Sequence, residues 1–544
     1  MGSRAGAEDS ADQHLRAGRW GAARDCFLRQ LAERPDGGAY EGLAQALRWL
    51  DDGAGCLAAR ESAYRLYRDQ ADDLGAARAA TSLGYDSLLF GEGEAVARGW
   101  RGLAHGLLDR LPETVEQGWL AVREAEAVIA AQGDPPFAQA WAEQAAAVGV
   151  RQQDADLSHA ATALAGLALT LAGCPEEGAP LLDRAVTAAT TGEVRDAMWM
   201  GKIYCWLIIA CQQTRDLSRA DEWCRRVETV CERRQLSPLF TACRIQHSSV
   251  LIERGTWSQA ETNLTEVMDE AVPSRRHSRL DAVVLLGELR RRQGRIREAE
   301  ELLRQAEFEP GAIVSQAMIR LSRGERMQAW TAISGVLAGI PEHQRTVRAS
   351  FLLPAVQTAL AAGDEEAARN CADELRTTAG LVGNGPLQGL AAAADATLAV
   401  GSEAVAQWHT AVRWFHESRL PFDEGESRLA LATALLALGD EGGAGEQVGR
   451  AIELLEGLGA RERLDDAIRL RGQLSGRHET RPVLTEREVE ILRCVAQGMT
   501  NQQIAQTLTV SPHTVHRHLS HILGKLEQPT RAGAVAHALS HHLL

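Results

Sequence analysis

The chain has 544 residues, room for several domains or one long array of repeats, and a formal net charge of −15. That balance is wrong for a protein that coats nucleic acid, and no apolar run approaches the ~20 residues needed to span a bilayer. Aromatic content is low at 5%, and Lys202 and Lys525 are the only lysines, so basic charge is almost all arginine.

The first ten residues, 1–10, are polar and lack an apolar signal core, so a disordered start on a cytoplasmic chain is expected. A repeating unit then occupies residues 11–471. It is a helix ending in Gly-x, with Ala about four residues on, a larger residue at eight and a small or aliphatic one at eleven. The unit recurs at Gly133 (Ala138, Ala142, Ala145), Gly255 (Ala260, Leu264, Val267), Gly294 (Ala299, Leu303, Ala306) and Gly324 (Ala329, Ile333, Val336). It returns at Gly363 (Ala368, Ala372, Leu375) and Gly439 (Ala444, Val448, Ala451), with looser copies near Gly18, Gly173, Asp216 and Val400. A glycine permits the turn, the small residue lets two helices approach, and the later positions fill the groove against the next pair. The phased set is similar to tetratricopeptide repeats with lengthened helices, implying a superhelical α-solenoid of helix pairs.

Arg19-Trp20 with Ala23, Phe27 and Pro35 is the copy nearest that consensus, so the array starts close to the N-terminus. Gly380 to Pro386 reads as a loop between units. Twelve tryptophans are spread through the array, and Trp199, Trp206 and Trp223 fall in one stretch that is also dense in Cys and Arg. They suit either core packing or a pocket for a ligand or protein partner. Residues 472–483 lack periodicity and are rich in turn formers, the expected linker.

Residues 484–544 carry four capped helices. Thr485 with Glu488 forms a capping box ahead of an apolar stripe at Val489, Leu492, Val495 and Ala496. Thr500 with Gln503 repeats the box before Ile504, Ala505 and Leu508. Ser511 then caps a helix with Pro512 at its first position. On this third helix, 512–526, Val515, Leu519, Ile522 and Leu526 form an inward face, while His513, His516, Arg517, Ser520 and His521 face outward. A fourth helix from about Arg531 offers Val535, Ala538 and Leu539. From Arg477 onward, seven Arg and Lys face five Glu, with eight of the sixteen histidines, so the acidity lies in the preceding array.

These residues resemble the LuxR-type DNA-binding domain: Leu484 to Leu492, Gly498 to Ala505, Ser511 to His518, Ile522 to Leu526, then Arg531 and Ala534-Val535 follow its pattern without gaps. The resemblance implies an all-α protein, solenoid plus small four-helix helix-turn-helix domain, that regulates bacterial transcription. It implies that Thr500, Asn501, Ser511, Thr514 and Lys525 meet the DNA backbone and that His516, Arg517 and Ser520 face bases; His513 and His521, on the same outward face, suit base edges or phosphate. It also implies a homodimer through the fourth helix, double-stranded promoter DNA as partner, contact with RNA polymerase, and a cytoplasmic, nucleoid-associated location. Two departures stand out: His516 where the family has Lys, and Glu527-Gln528 where it has Gly-Val. The first suggests DNA affinity that rises as pH falls through the histidine range; it also leaves room for an interaction scaffold with a degenerate, non-DNA-binding domain. Arg487 and Glu488 are expected to form a fold-stabilising pair.

Nothing in the sequence suggests catalysis. G-x-x-x-x-G-K-[ST], G-x-S-x-G and H-E-x-x-H are absent, and no alternation of strands and helices is seen. The ten cysteines form no C-x-x-C pair, so small buried thiols are expected rather than a metal site. No enzyme activity, metal or cofactor is expected.

Overall fold

The computed structural model describes residues 10–131, 133–234, 240–270, 276–479, 484–526 and 528–540. Among them every regular element is a helix. The chain divides into two compact units, Met1–Asp465 and Asp466–Leu544. Most of the predicted disordered start, residues 1–9, lies outside the described residues; Ser10 caps a short helix, Ala11–Arg16, with a complete capping box.

In the first unit each helix packs against the next, giving the antiparallel helix pairs of a solenoid. The recurring pattern marks its interior. Ala260, Leu264 and Val267 are completely buried, as are Ala444, Val448 and Ala451. The turns before them use the left-handed conformation: φ is +82° at Gly255 and +82° at Gly439. That conformation lets the chain leave one helix and start the next after three residues.

Further turns escape a search keyed on glycine. Asp51, Ala71, Gln153, Arg215 and Arg419 also hold φ between +54° and +64°, each one residue before the turn into the next helix. The cost of the left-handed region, about 1–2 kcal/mol for an L-residue, is borne there by packing on both sides. Between units, the predicted loop at Gly380–Pro386 shrinks to Gly383 and Asn384. The preceding helix, Glu365–Val382, continues through Gly380, and Asn384 caps Gly385–Leu398.

The array also winds back on itself. Arg215 pairs with Glu253 at 2.7 Å and with Asp423, 208 residues away, at 3.2 Å. Arg254 Nη1 donates to the Ser418 carbonyl at 2.7 Å, Trp257 lies against Phe422 and Gln344 donates to the Gly133 carbonyl. One apolar core accordingly runs from Ala121 to Leu420. A simple stack, in which each repeat meets only its neighbours, has no such contacts. Buried thiols behave as small apolar groups: burial pushes Cys56 up to about 12 and Cys371 up to about 11.

The predicted linker is shorter than its composition suggested. The helix Arg461–Glu479 runs through residues 472–479, and residues 480–483 lie outside the described residues. Ala467 and Leu474 are buried seven residues apart on this helix, one face that outweighs Gly472.

Candidate nucleic-acid interface

Four helices form the C-terminal domain: α1 (Glu486–Ala496), α2 (Asn501–Thr507), α3 (Pro512–Lys525) and α4 (Arg531–Ser540). Both capping boxes are complete. Glu488 Oε2 accepts from Thr485 N at 2.8 Å, and Gln503 Oε1 accepts from Thr500 N at 2.8 Å. Ser511 Oγ accepts from Thr514 N at 3.1 Å and lies 2.7 Å from Thr514 Oγ1, closing the start of α3. Between α2 and α3, Thr509 takes φ +53°, a strained conformation for a β-branched residue.

The inward faces meet in one small core of Leu492, Ile504, Val515, Leu519, Ile522, Leu526 and Ala538, with their neighbours. On α1 the buried stripe is centred on Ile491 and Leu492, with Cys494 and Val495; Ala496 is exposed. On α4 it is Ala534 and Ala538 that are buried, while Leu539 stays 58% exposed.

The expected pairing of Arg487 with Glu488 is replaced by two others. Glu488, 5% exposed, accepts from Lys525 Nζ at 2.6 Å, tying α1 to the end of α3. Arg487 pairs with Glu490 and donates to the Leu508 carbonyl at 2.8 Å, closing the C-terminal end of α2. The reason is geometric: neighbours in sequence point about 100° apart on a helix, so Arg487 and Glu488 serve different sides. Arg531, donating to the Met499 carbonyl at 2.7 Å, is a third brace that periodicity did not mark.

The helical spacing sets the outward face. His513, His516, Arg517, Ser520 and His521 are exposed along α3, and Ser520 Oγ is held by the His516 carbonyl at 3.1 Å. Arg517 makes no ion pair or hydrogen bond among the described residues, so its guanidinium is available. Thr500 is exposed at the start of α2 and Ser511 at the start of α3. Asn501 is partly buried, and its side-chain oxygen accepts no hydrogen bond among the described residues. Lys525, at the end of α3, is one-third exposed and committed to Glu488.

Of the three tryptophans singled out in the solenoid, Trp199 and Trp206 are buried on Ala197–Thr214 with ring centres 6.5 Å apart. Trp223 turns elsewhere, donating Nε1 to Asp183 at 3.0 Å. The ring stacked on Trp199 is Trp119, at 4.4 Å, a partner 80 residues upstream that no local pattern announces.

The arrangement agrees with the sequence relatives. Residues 482–538 match the family described as bacterial regulatory proteins, luxR family. Response regulator protein VraR of Staphylococcus aureus and its counterpart in Staphylococcus saprophyticus are each 42% identical over 77 residues, 14% of this chain. The match spans 37% of the length of those relatives. Among solved structures, the yeast Tom70 covers 87% of this chain and 96% of its own at 12% identity, with a TM-score of 0.31. The human IFIT1 dimer covers 79% and 94% at 15% identity, with a TM-score of 0.39. The C-terminal segment, residues 482–538, is a LuxR-type helix-turn-helix domain.

Proposed function

We propose that this chain is a sequence-specific, DNA-binding transcriptional regulator. The observation that carries the reading is the outer face of α3. A capped helix, fixed to the core by Val515, Leu519 and Ile522, presents to solvent imidazoles, a hydroxyl and a guanidinium with no partner among the described residues. Placed in a major groove, Arg517 would read a guanine edge, with His513, His516, Ser520 and His521 beside it. Thr500, Asn501, Ser511 and Thr514 would meet phosphates from two helix starts, where backbone N–H groups favour anions. Lys525 would reach a phosphate only by sharing its ammonium with Glu488.

The exposed Leu539 on α4 supports a homodimer through that helix, which would place two recognition helices one turn of DNA apart, about 34 Å. In this reading the solenoid senses a ligand or protein partner, and the dimer activates promoters by contacting RNA polymerase in the cytoplasm.

A second reading, an interaction scaffold with a non-binding domain, is favoured by His516 in place of the family's Lys and by the commitment of Lys525. Selection of sites by the full chain from a random duplex pool, at two salt concentrations, separates the two. An enriched inverted repeat supports regulation; duplexes recovered without a common motif, and lost at the higher salt, support the scaffold.

A further inference from the structure

Where the array winds back, its last helices lie across turns of its middle, and three of those turns are met in order. Arg215 pairs with Asp423 at 3.2 Å. A Cβ on Gly255 would lie 2.9 Å from Pro421 Cγ and 2.5 Å from Leu458 Cδ2. One on Gly294 would lie 3.1 Å from the Glu462 backbone nitrogen. The segment that meets these turns comprises Pro421–Ala437, Glu441–Leu458 and the start of Arg461–Glu479. It begins just past Leu420, where the continuous apolar core ends. Arg254 marks the junction by donating to the Ser418 carbonyl at 2.7 Å. Beyond it Trp257 and Phe422, 3% and 4% exposed, close against each other with ring centres 5.7 Å apart.

This seam also buries charge. Arg215 Nη2 bridges it, 2.7 Å from Glu253 on the middle repeats and 3.2 Å from Asp423 on the last ones. Arg292 holds Glu253 at 2.9 Å and Glu288 at 2.8 Å and lies over the Phe422 ring at 5.1 Å. Its buried Nη1 has no hydrogen bond among the described residues. The two carboxylates on Arg215 respond in opposite ways. Burial pushes Asp423 up, with Glu253 and Glu426 adding to the rise against Arg215 and Arg292. Burial works the same way on Glu253, but Arg292 and Arg215 outweigh it and hold that carboxyl below the ordinary range. Glu426 has its own partner, Arg463 at 2.8 Å. Asp423 is thus the loosely held member: an ionised carboxylate that burial disfavours gains free energy when water reaches it.

We propose that residues 421–465 form a strap that docks on and releases from the turns at Arg215, Gly255 and Gly294, with Arg215 as the latch between Glu253 and Asp423. The strap flexes at the junction held by Arg254, and its release uncovers Trp257 and Phe422. The helix Arg461–Glu479 leads in sequence from the strap to the C-terminal domain. A consequence for DNA binding rests on the proposed function; the docking and release do not.

The test is hydroxyl-radical footprinting of the full chain, read residue by residue by mass spectrometry. Trp257 and Phe422 report on the seam, and Trp206 and Phe415, buried in the continuous core, serve as references. Arg215→Met removes the latch and leaves Glu253 and Asp423 facing each other. Oxidation of Trp257 and Phe422 then rises about threefold or more over wild type, with the references unchanged. Adding Asp423→Asn removes the repulsion and returns both rates to within about twofold of wild type. Asp423→Asn alone, a near-isosteric change that removes the disfavoured charge, lowers them about twofold or more. The proposal is overturned if Arg215→Met protects Trp257 and Phe422 as well as wild type does, or if the references rise with them, since the array then opens as one body. It is also overturned if the second substitution restores nothing, or if Asp423→Asn alone leaves the rates unchanged or higher; that last comparison does not depend on Arg215→Met folding. Strap release that leaves DNA affinity untouched upholds the latch and removes only its consequence for regulation.

Discussion

Replacing Glu488 with alanine should loosen α1 and α3 together. One carboxylate closes the capping box at Thr485 and receives Lys525 at 2.6 Å, and it is 5% exposed. Losing the Glu488 half of the capping box costs about 1 kcal/mol. Breaking a fully buried ion pair costs about 3–5 kcal/mol, but Lys525 is one-third exposed and regains hydration, so about 1–2 kcal/mol is the fitting share. The total, about 2–3 kcal/mol, corresponds to faster local opening by about thirtyfold to a hundredfold or more. Hydrogen exchange of the full chain, followed in peptides from 486–496 and 512–526, reads it directly. Glu488→Gln keeps an acceptor and should lose roughly half as much. Protection in both segments equal to wild type in Glu488→Ala would refute the account of this brace. The same group sets a pH limit. Burial works to raise its pKa, but the Lys525 and Thr485 hydrogen bonds outweigh it and hold the carboxyl below the ordinary range. A depressed folded-state value means the stabilisation is complete at neutral pH and is lost as pH falls through that value. Wild-type protection, corrected for intrinsic exchange, should therefore fall under acid conditions more steeply than that of Glu488→Gln.

Other substitutions test the helix packing and the DNA-facing surface. A Cβ at Gly178 would lie 2.4 Å from the Gly166 carbonyl oxygen and 3.1 Å from Thr170 N, both backbone atoms. Gly178→Ala should therefore destabilise the solenoid by about 2–3 kcal/mol in thermal or denaturant unfolding, whereas Gly102→Ala, in open space within a helix, should stabilise it by about 0.5–1 kcal/mol. Equal effects at the two sites would contradict the close crossing. Thr509→Asn relieves a left-handed β-branched residue and should slow exchange in 501–507 by several-fold, about 0.5–1 kcal/mol; faster exchange would count against strain there. His516→Lys should tighten DNA binding at neutral pH, steepen its salt dependence by about 0.9 in slope, and reduce any rise in affinity as pH falls. An unchanged slope in fluorescence anisotropy would mean that this position does not face phosphate.

The sequence carried what local physics encodes. Gly255 with Ala260, Leu264 and Val267 marks a turn and a buried stripe because helical spacing and the left-handed turn leave a repeating trace. The capping boxes at Thr485 and Thr500, and the inward face of α3, are local for the same reason. Where the left-handed residue is Ala71 or Gln153, that trace disappears, since those residues do not favour the conformation and are held in it by tertiary packing. The return of the array, through Arg215 to Asp423 and Arg254 to Ser418, had no local signal at all. Nor did the stacking of Trp119 on Trp199 or the bond from Lys525 to Glu488; each joins helices far apart in sequence. In the candidate interface the outward residues of α3 were legible from period alone, while the braces Arg487, Glu488 and Arg531 needed the fold to find their partners.

The central claim is that α3 reads a DNA sequence. Footprinting of the full chain on the DNA upstream of its own gene, with Arg517→Ala alongside, tests it most directly. The account predicts a protected inverted repeat with half-sites about one helical turn apart, and a loss of about 1–3 kcal/mol in the variant, selectively for that site over a scrambled duplex. Protection indistinguishable between the two proteins and between the two duplexes would contradict it.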